Sequence, residues 1–276
     1  MSKSPAPAIP ALLLVGCGHM GGALLRGWLA RSLAERYAVV EPGPAARPFA
    51  GQANIVLAPS ADRLPPDLDP SVVVLAVKPQ IMAEVLPAYR RFAASGTLFL
   101  SIAAGKTLGF LARQLGGTAA AVRAMPNTPA AIGRGIAVAC ASAAVGKPQR
   151  ALAERLLAAV GDVAWVEDEA LIDAVTAVSG SGPAYVFLLI EALAKAGVAA
   201  GLPEGLAMQL ARTTVTGSGE LARLSAEPAA RLRESVTSPG GTTRAALDVL
   251  MAPDGLEPLL TRAVLAAARR SRELAD

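Results

Sequence analysis

Histidine and cysteine are almost missing from this sequence: His19 is the one histidine, and Cys17 and Cys140 are the two cysteines, in 276 residues. Neither cysteine stands in a CxxC or other metal-ligand spacing, so neither a disulfide framework nor a zinc site is expected. Reduced thiols fit a cytoplasmic protein. A lone histidine also leaves no triad for nucleophilic catalysis. Aromatics supply only 4% of the chain while hydrophobic residues supply 53%, so the core must be built from Ala, Leu and Val, which favours close-packed helices over a β-sandwich. Charge runs are missing too. The 26 Lys+Arg against 22 Asp+Glu leave a net +4 spread along the chain, which gives nucleic-acid binding no support but mildly favours anionic ligands. Gly, Arg or Pro interrupts every apolar stretch before the roughly 18 to 20 residues of a membrane span, so no membrane partner is expected. The opening residues 1–7 are short and proline-rich, and the apolar stretch behind them is only strand-sized, unlike a signal peptide.

What is present is a change of pattern two-thirds of the way along. Residues 11–15, 37–40, 54–58, 72–77 and 97–101 are short apolar runs that read as buried strands, with helical patterns such as 21–35 and 81–93 between them. That alternation predicts an α/β Rossmann-type doubly wound parallel sheet. Further runs at 120–124, 136–139 and 163–166 extend the sheet at one edge, with a helix at 151–160 before the last. After Glu167 no strand-like run survives. Helical spacing fills 170–178, 184–200, 203–224 and 256–274, so an all-α C-terminal domain over 168–276 follows a dinucleotide-binding domain over 1–167. These helices are apolar on more than one face, as expected of elements buried against a second subunit.

Gly16-Cys17-Gly18-His19-Met20-Gly21 directly follows the first strand and opens the first helix. In that context Gly16 permits the tight turn, Gly18 lets backbone approach a pyrophosphate, and Gly21 lets helix and strand pack closely. His19 and Cys17 read as neighbours of a cofactor rather than as acid-base or nucleophilic groups. Glu41 ends the second strand, where a Rossmann acid binds the adenosine ribose hydroxyls, and there it favours NADH over NADPH; equally, it is a surface acid before the Pro42-Gly43-Pro44 turn. Lys78, between a strand and Pro79, lies at the carboxyl edge of the sheet, where ligands bind. Two segments, 179–183 (Ser-Gly-Ser-Gly-Pro) and 237–243 (Thr-Ser-Pro-Gly-Gly-Thr-Thr), look too polar and glycine-rich for helix interiors. Each precedes a helical pattern and offers N–H groups and hydroxyls suited to a carboxylate, or else is an ordinary helix-linking turn.

These segments, with Leu75-Ala76-Val77-Lys78-Pro79-Gln80, Ser101-Ile102-Ala103-Ala104-Gly105 and Arg123-Ala124-Met125-Pro126-Asn127-Thr128-Pro129, resemble in order the characteristic stretches of the pyrroline-5-carboxylate reductases. The resemblance runs from about Leu12 to the C-terminus. It implies reduction of L-1-pyrroline-5-carboxylate to L-proline with NADPH or NADH, and helical domains that interlock in a homodimer or a higher assembly of dimers. Carried over by position, it implies that Gly16 to Gly21, Ala76, Val77, Lys78 and Pro79, and Ala103, Ala104 and Gly105 hold the cofactor. It puts the Thr243 hydroxyl at the imine nitrogen, Gly240, Gly241 and Thr242 near the substrate carboxylate, and Glu169 on the substrate side. The chain departs from the family pattern at His19 and Ala61, each usually Asn, at Glu41-Pro42, usually Asn-Arg or Ser-Arg, and at Ser235, which replaces a substrate-side Asn.

An imine needs little acid-base machinery, because its protonated form is already electrophilic and the product amine keeps the proton. A β-hydroxyacid dehydrogenase on the same scaffold would want a lysine early in the second domain, whereas Lys195 lies well inside a helix. An imine reductase remains possible on this scaffold. A regulatory module that merely senses NAD(P) would not need the Pro-Gly-Gly-Thr-Thr segment.

Overall fold

A computed structural model describes residues 7–274; the start of the proline-rich opening, residues 1–6, lies outside them. The described residues form two compact units, one reaching Gly180 and resuming at Ala268, the other spanning Ser181–Ala267. Strands do stop before residue 167, yet the compact units divide later than that, and the end of the chain returns to the first.

The first unit is an eight-stranded sheet in the order β3-β2-β1-β4-β5-β6-β7-β8. Its strands are β1 (Ile9–Val15), β2 (Ala34–Val40), β3 (Ile55–Ala58), β4 (Val72–Leu75), β5 (Leu98–Ser101), β6 (Ala121–Met125), β7 (Gly135–Ala141) and β8 (Gly161–Trp165). Each falls on one of the expected apolar runs. Pairing is parallel except that β7 runs antiparallel to β6, because the short link between them carries only a 3₁₀ turn and no crossover helix. The doubly wound parallel sheet expected from the sequence is present, with the β6–β7 pair at this edge antiparallel.

Alternation along the strands builds two apolar layers. Leu12, Leu14, Val72, Val74, Leu98 and Leu100 face helices α1 (His19–Ala30) and, later in the chain, α4 (Lys147–Leu157), whose Leu24, Leu25, Leu156 and Leu157 are buried with Trp28. The Trp28 indole N–H donates to the Leu156 carbonyl at 2.9 Å, so the largest core side chain carries no unpaired polar atom. Leu13, Val15, Val73, Leu75 and Phe99 face the other way, onto Met82 of α2 (Met82–Val85) and onto Phe110 and Leu111 of α3 (Leu108–Leu115). The expected helix over 81–93 is a single α-turn followed by 3₁₀ backbone at Leu86–Ser95. Pro87 removes a backbone donor there, although Leu86, Tyr89 and Phe92 still reach the core.

After β8, α5 (Leu171–Val175) runs through a π-helical turn, Thr176–Gly180, toward α6 (Gly182–Ala199). Residues 179–183, expected to be a loop, are therefore helical or cap a helix. Thr176 and Ser179 donate their hydroxyls to the carbonyls of Ile172 and Val175, which lets polar side chains sit inside a helix. Leu171–Ala199 contains an 18-residue window of mean hydropathy 1.4 and is by length and composition long and apolar enough to span a membrane. This corrects the expectation that Gly, Arg or Pro interrupts every apolar stretch: Gly182 and Pro183 stand in the first turn of α6 and do not break it.

The second unit holds α6, α7 (Glu204–Leu224), α8 (Ala229–Ser235), α9 (Thr242–Leu250) and the start of α10 (Leu256–Glu273). It leaves Val186, Phe187, Leu188, Leu189 and Leu193 of α6 and Leu259, Leu260 and Leu265 of α10 exposed. A cavity of about 660 Å³ within it is lined by apolar residues such as Leu247, Leu250, Met251 and Leu260 and holds none of the expected site residues.

Candidate functional site

Parallel strands β1 and β4 end side by side, and the glycine-rich turn leaves β1 at that edge. Gly16 sits at φ +91°, in the left-handed region, and a Cβ there would lie 2.7 Å from the Ala76 carbonyl oxygen. At Gly21 a Cβ would collide with the Gly16 carbonyl, so helix and strand approach too closely for any side chain. Gly18 differs: a Cβ would meet nothing within 4 Å, and as N-cap of α1 it offers no side-chain cap to the first-turn N–H groups of His19, Met20 and Gly21. Open space beside Gly18, next to uncapped helix donors, fits a pyrophosphate.

Glu41 is held rather than free. Its Oε2 accepts from the Cys17 N–H at 2.8 Å and its Oε1 from the Gly43 N–H at 2.9 Å. Cys17 is buried at 2% exposure, and burial first, then the Glu41 charge, pushes its thiol up to about 11. A protonated, enclosed thiol suits the neighbour role expected of it and not that of a nucleophile. His19 is exposed beside the open turn, and Met20 is half-buried against the core.

Ala76, Val77, Lys78 and Pro79 follow β4 directly, with Lys78 exposed and capping the 3₁₀ turn Pro79–Ile81. Ala103, Ala104 and Gly105 follow β5 at the same edge of the sheet, adjacent by the β4–β5 pairing. Gly105 has φ +74°, and a Cβ on it would lie 2.9 Å from the Leu274 carbonyl oxygen. The end of α10 thus rests on this turn, and it is pinned further by the Ser271 hydroxyl, 2.6 Å from Asp173 Oδ1.

Glu169 is tied to the same region. Its Oε1 accepts from the Leu108 N–H and from Arg123 Nη1, each at 2.8 Å, so it serves the N-terminus of α3 together with the Thr107 hydroxyl, which caps Phe110. Arg123 had no role in the sequence reading. The signal for it was a charged residue inside the apolar run 120–124, which can be buried only with a partner.

In the second unit, Gly240 turns the chain at φ +68° and Gly241 is the N-cap of α9, again without a side-chain cap. Thr242 and Thr243 are the first two helical residues, and among the described residues nothing accepts from or donates to the half-buried Thr243 hydroxyl. The Ser235 hydroxyl turns back to the Leu232 carbonyl at the end of α8.

Comparison with known proteins agrees with both halves. A family model described as pyrroline-5-carboxylate reductase dimerisation matches residues 169–274, and one described as NADP oxidoreductase, coenzyme F420-dependent, matches residues 11–105. A pyrroline-5-carboxylate reductase of Pseudomonas aeruginosa is 42% identical over 97% of each chain, and one of Synechocystis is 41% identical over 92% of this chain and 96% of its own. Among solved structures, a pyrroline-5-carboxylate reductase from Coxiella burnetii superposes with a TM-score of 0.89 at 34% identity, covering 96% of this chain and 98% of that one. The Plasmodium falciparum enzyme, solved with NADP bound, gives 0.80 at 30% identity, with 97% and 98% covered. With relatives of this identity matching over nearly the whole of both chains, the chain belongs to the pyrroline-5-carboxylate reductase family.

Proposed function

We infer that this protein is an NAD(P)H-dependent oxidoreductase acting on a C=N bond, reducing L-1-pyrroline-5-carboxylate to L-proline, the last step of proline biosynthesis. The full-length match to pyrroline-5-carboxylate reductases carries this reading. Oxidation of NADPH or NADH on addition of pyrroline-5-carboxylate tests it, and no absorbance change with either cofactor would defeat it.

When bound, the nicotinamide cofactor supplies the hydride. The turn from Gly16 to Gly21 takes the pyrophosphate at the start of α1, while residues 76–79 and 103–105 line the neighbouring strand ends. At the substrate, the N–H groups of Gly240, Gly241 and Thr242 at the start of α9 receive the carboxylate. The Thr243 hydroxyl meets the ring nitrogen. As the imine carbon gains hydride, the C=N π electrons become a nitrogen lone pair, so the protonated imine becomes a neutral amine that keeps its proton. A hydroxyl acts as acceptor before that change and as donor after it, without any shift of its own pKa. Glu169, which braces the start of α3, and Ser235, at the end of α8, are the further residues that this reading assigns to the substrate.

A homodimer, or an assembly of dimers, is the working form. Its support is the row of exposed apolar side chains on α6 and α10, which water-exposed monomers do not sustain, and the dimerisation model matched over 169–274. The same row accounts for the apolar length of Leu171–Ala199 without a membrane, in keeping with a cytoplasmic enzyme that engages neither membrane nor nucleic acid.

A further inference from the structure

We propose that Glu41 makes this enzyme select NADH over NADPH, and that it does so as a fixed brace of the glycine turn rather than as a mobile surface charge. The proposal rests on reading that turn as the dinucleotide site.

Glu41 follows β2 directly. Backbone on both sides of it is paired: the Gly16 N–H donates to the Val40 carbonyl and the Glu41 N–H to the Ala58 carbonyl, at 2.8 and 3.0 Å. Its carboxylate reaches over the turn to the Cys17 N–H and backward to the Gly43 N–H. Two donors from separate segments thus fix the carboxylate at the end of β2, on the side of the sheet where the ribose of a dinucleotide bound at the Gly16–Gly21 turn lies. A carboxylate has about four acceptor positions, so two remain for ribose hydroxyls.

A 2′-phosphate reverses each of these relations. It offers no donor to the carboxylate and brings about −1.5 to −2 charges toward it, by analogy with other phosphate monoesters. Retracting Glu41 to make room would strip the partner from the Cys17 N–H, in a residue only 2% exposed, so the side chain cannot step aside without leaving a buried donor unpaired. Within residues 41–50 the only cation is Arg47, exposed on the 3₁₀ turn Pro44–Phe49. Discrimination therefore comes from repulsion together with the cost of dismantling the turn.

Calorimetric titration of NADH and NADPH, without substrate, tests this on the wild type, Glu41→Gln, Glu41→Asp and Arg47→Ala. The wild type is expected to bind NADH at least ten-fold more tightly. Glu41→Gln keeps an acceptor for the Cys17 N–H but removes the charge, and should lower the NADH:NADPH ratio at least ten-fold; Glu41→Asp should keep the preference. A wild type that binds NADPH as tightly as NADH overturns the proposal whatever the variants do, as does a ratio untouched by Glu41→Gln or an NADPH affinity that depends only on Arg47. A wild type binding neither nucleotide overturns the nucleotide-site reading and the proposal with it.

Discussion

Arg123 on β6 and Glu169 ahead of α5 form an ion pair of 2.8 Å in which the arginine is 4% and the glutamate 28% exposed. Arg123 sits in a strand whose other residues are apolar, so without Glu169 it would be a buried charge with its main partner removed. Glu169→Ala is expected to destabilise the fold by about 2–3 kcal/mol, below the full cost of a deeply buried pair because the glutamate is partly solvated. Urea denaturation measures it. A loss under 0.5 kcal/mol, by order of magnitude within the range of ordinary surface substitutions, would mean that solvent satisfies Arg123.

The two outer positions of the Gly-x-Gly turn separate stability from binding. Gly18→Asp places a side chain in open space and adds a favourable N-cap to α1, so the melting temperature should hold or rise, while cofactor binding disappears because the carboxylate takes the pyrophosphate's place. Gly16→Ala should do the reverse in the melt, losing roughly 1–3 kcal/mol from a left-handed φ and a collision with the Ala76 carbonyl. Paired thermal melts and titrations would show a different order if the turn binds no nucleotide.

Thr243→Ala should lower kcat roughly ten- to a thousand-fold, at or below the range for losing one preorganised donor, with the cofactor KM little changed. Thr243→Ser should retain much more activity. Because Gly241, not Thr243, is the N-cap of α9, the alanine variant should melt close to the wild type. An early melt combined with normal turnover would reduce Thr243 to a helix-stabilising residue.

Cys17 sets a pH limit on stability. Its thiol is raised from 9.0 to about 11 in the fold, mainly by burial. Below pH 9 both folded and unfolded chains keep the proton. Between about 9 and 11 the unfolded chain releases it first, so stability falls as pH rises through that window. Cys17→Ala should flatten the decline in denaturation midpoints measured from pH 8 to 11, and identical slopes would exclude the thiol as its source.

Strand positions were legible because residues such as 12–15 and 72–75 are apolar on both faces, which only a covered sheet permits. Direction was not. The run that became β7 alternates no differently for being antiparallel, and its direction is set by the short link in which the Asn127 side chain accepts from the Ile136 N–H. Residues 179–183 misled because composition registers polar side chains but not the carbonyls to which Thr176 and Ser179 turn back. At the site, the glycine turn was readable from its spacing together with the strand before it and the helix after it. The brace by Glu41 and the pairing of Arg123 were not, since each joins positions far apart in sequence that only the fold brings within 3 Å.

The return of α10 to the first unit has a consequence for synthesis. Residues 268–274, which seat Leu274 on Gly105 and Ser271 on Asp173, leave the ribosome after all of Ser181–Ala267. The contacts that residues 268–274 make within the first unit therefore cannot form until Ser181–Ala267 has been synthesised. The packing of the Gly105 turn against Leu274 is thus coupled in time to the making of the helices that separate the two in sequence.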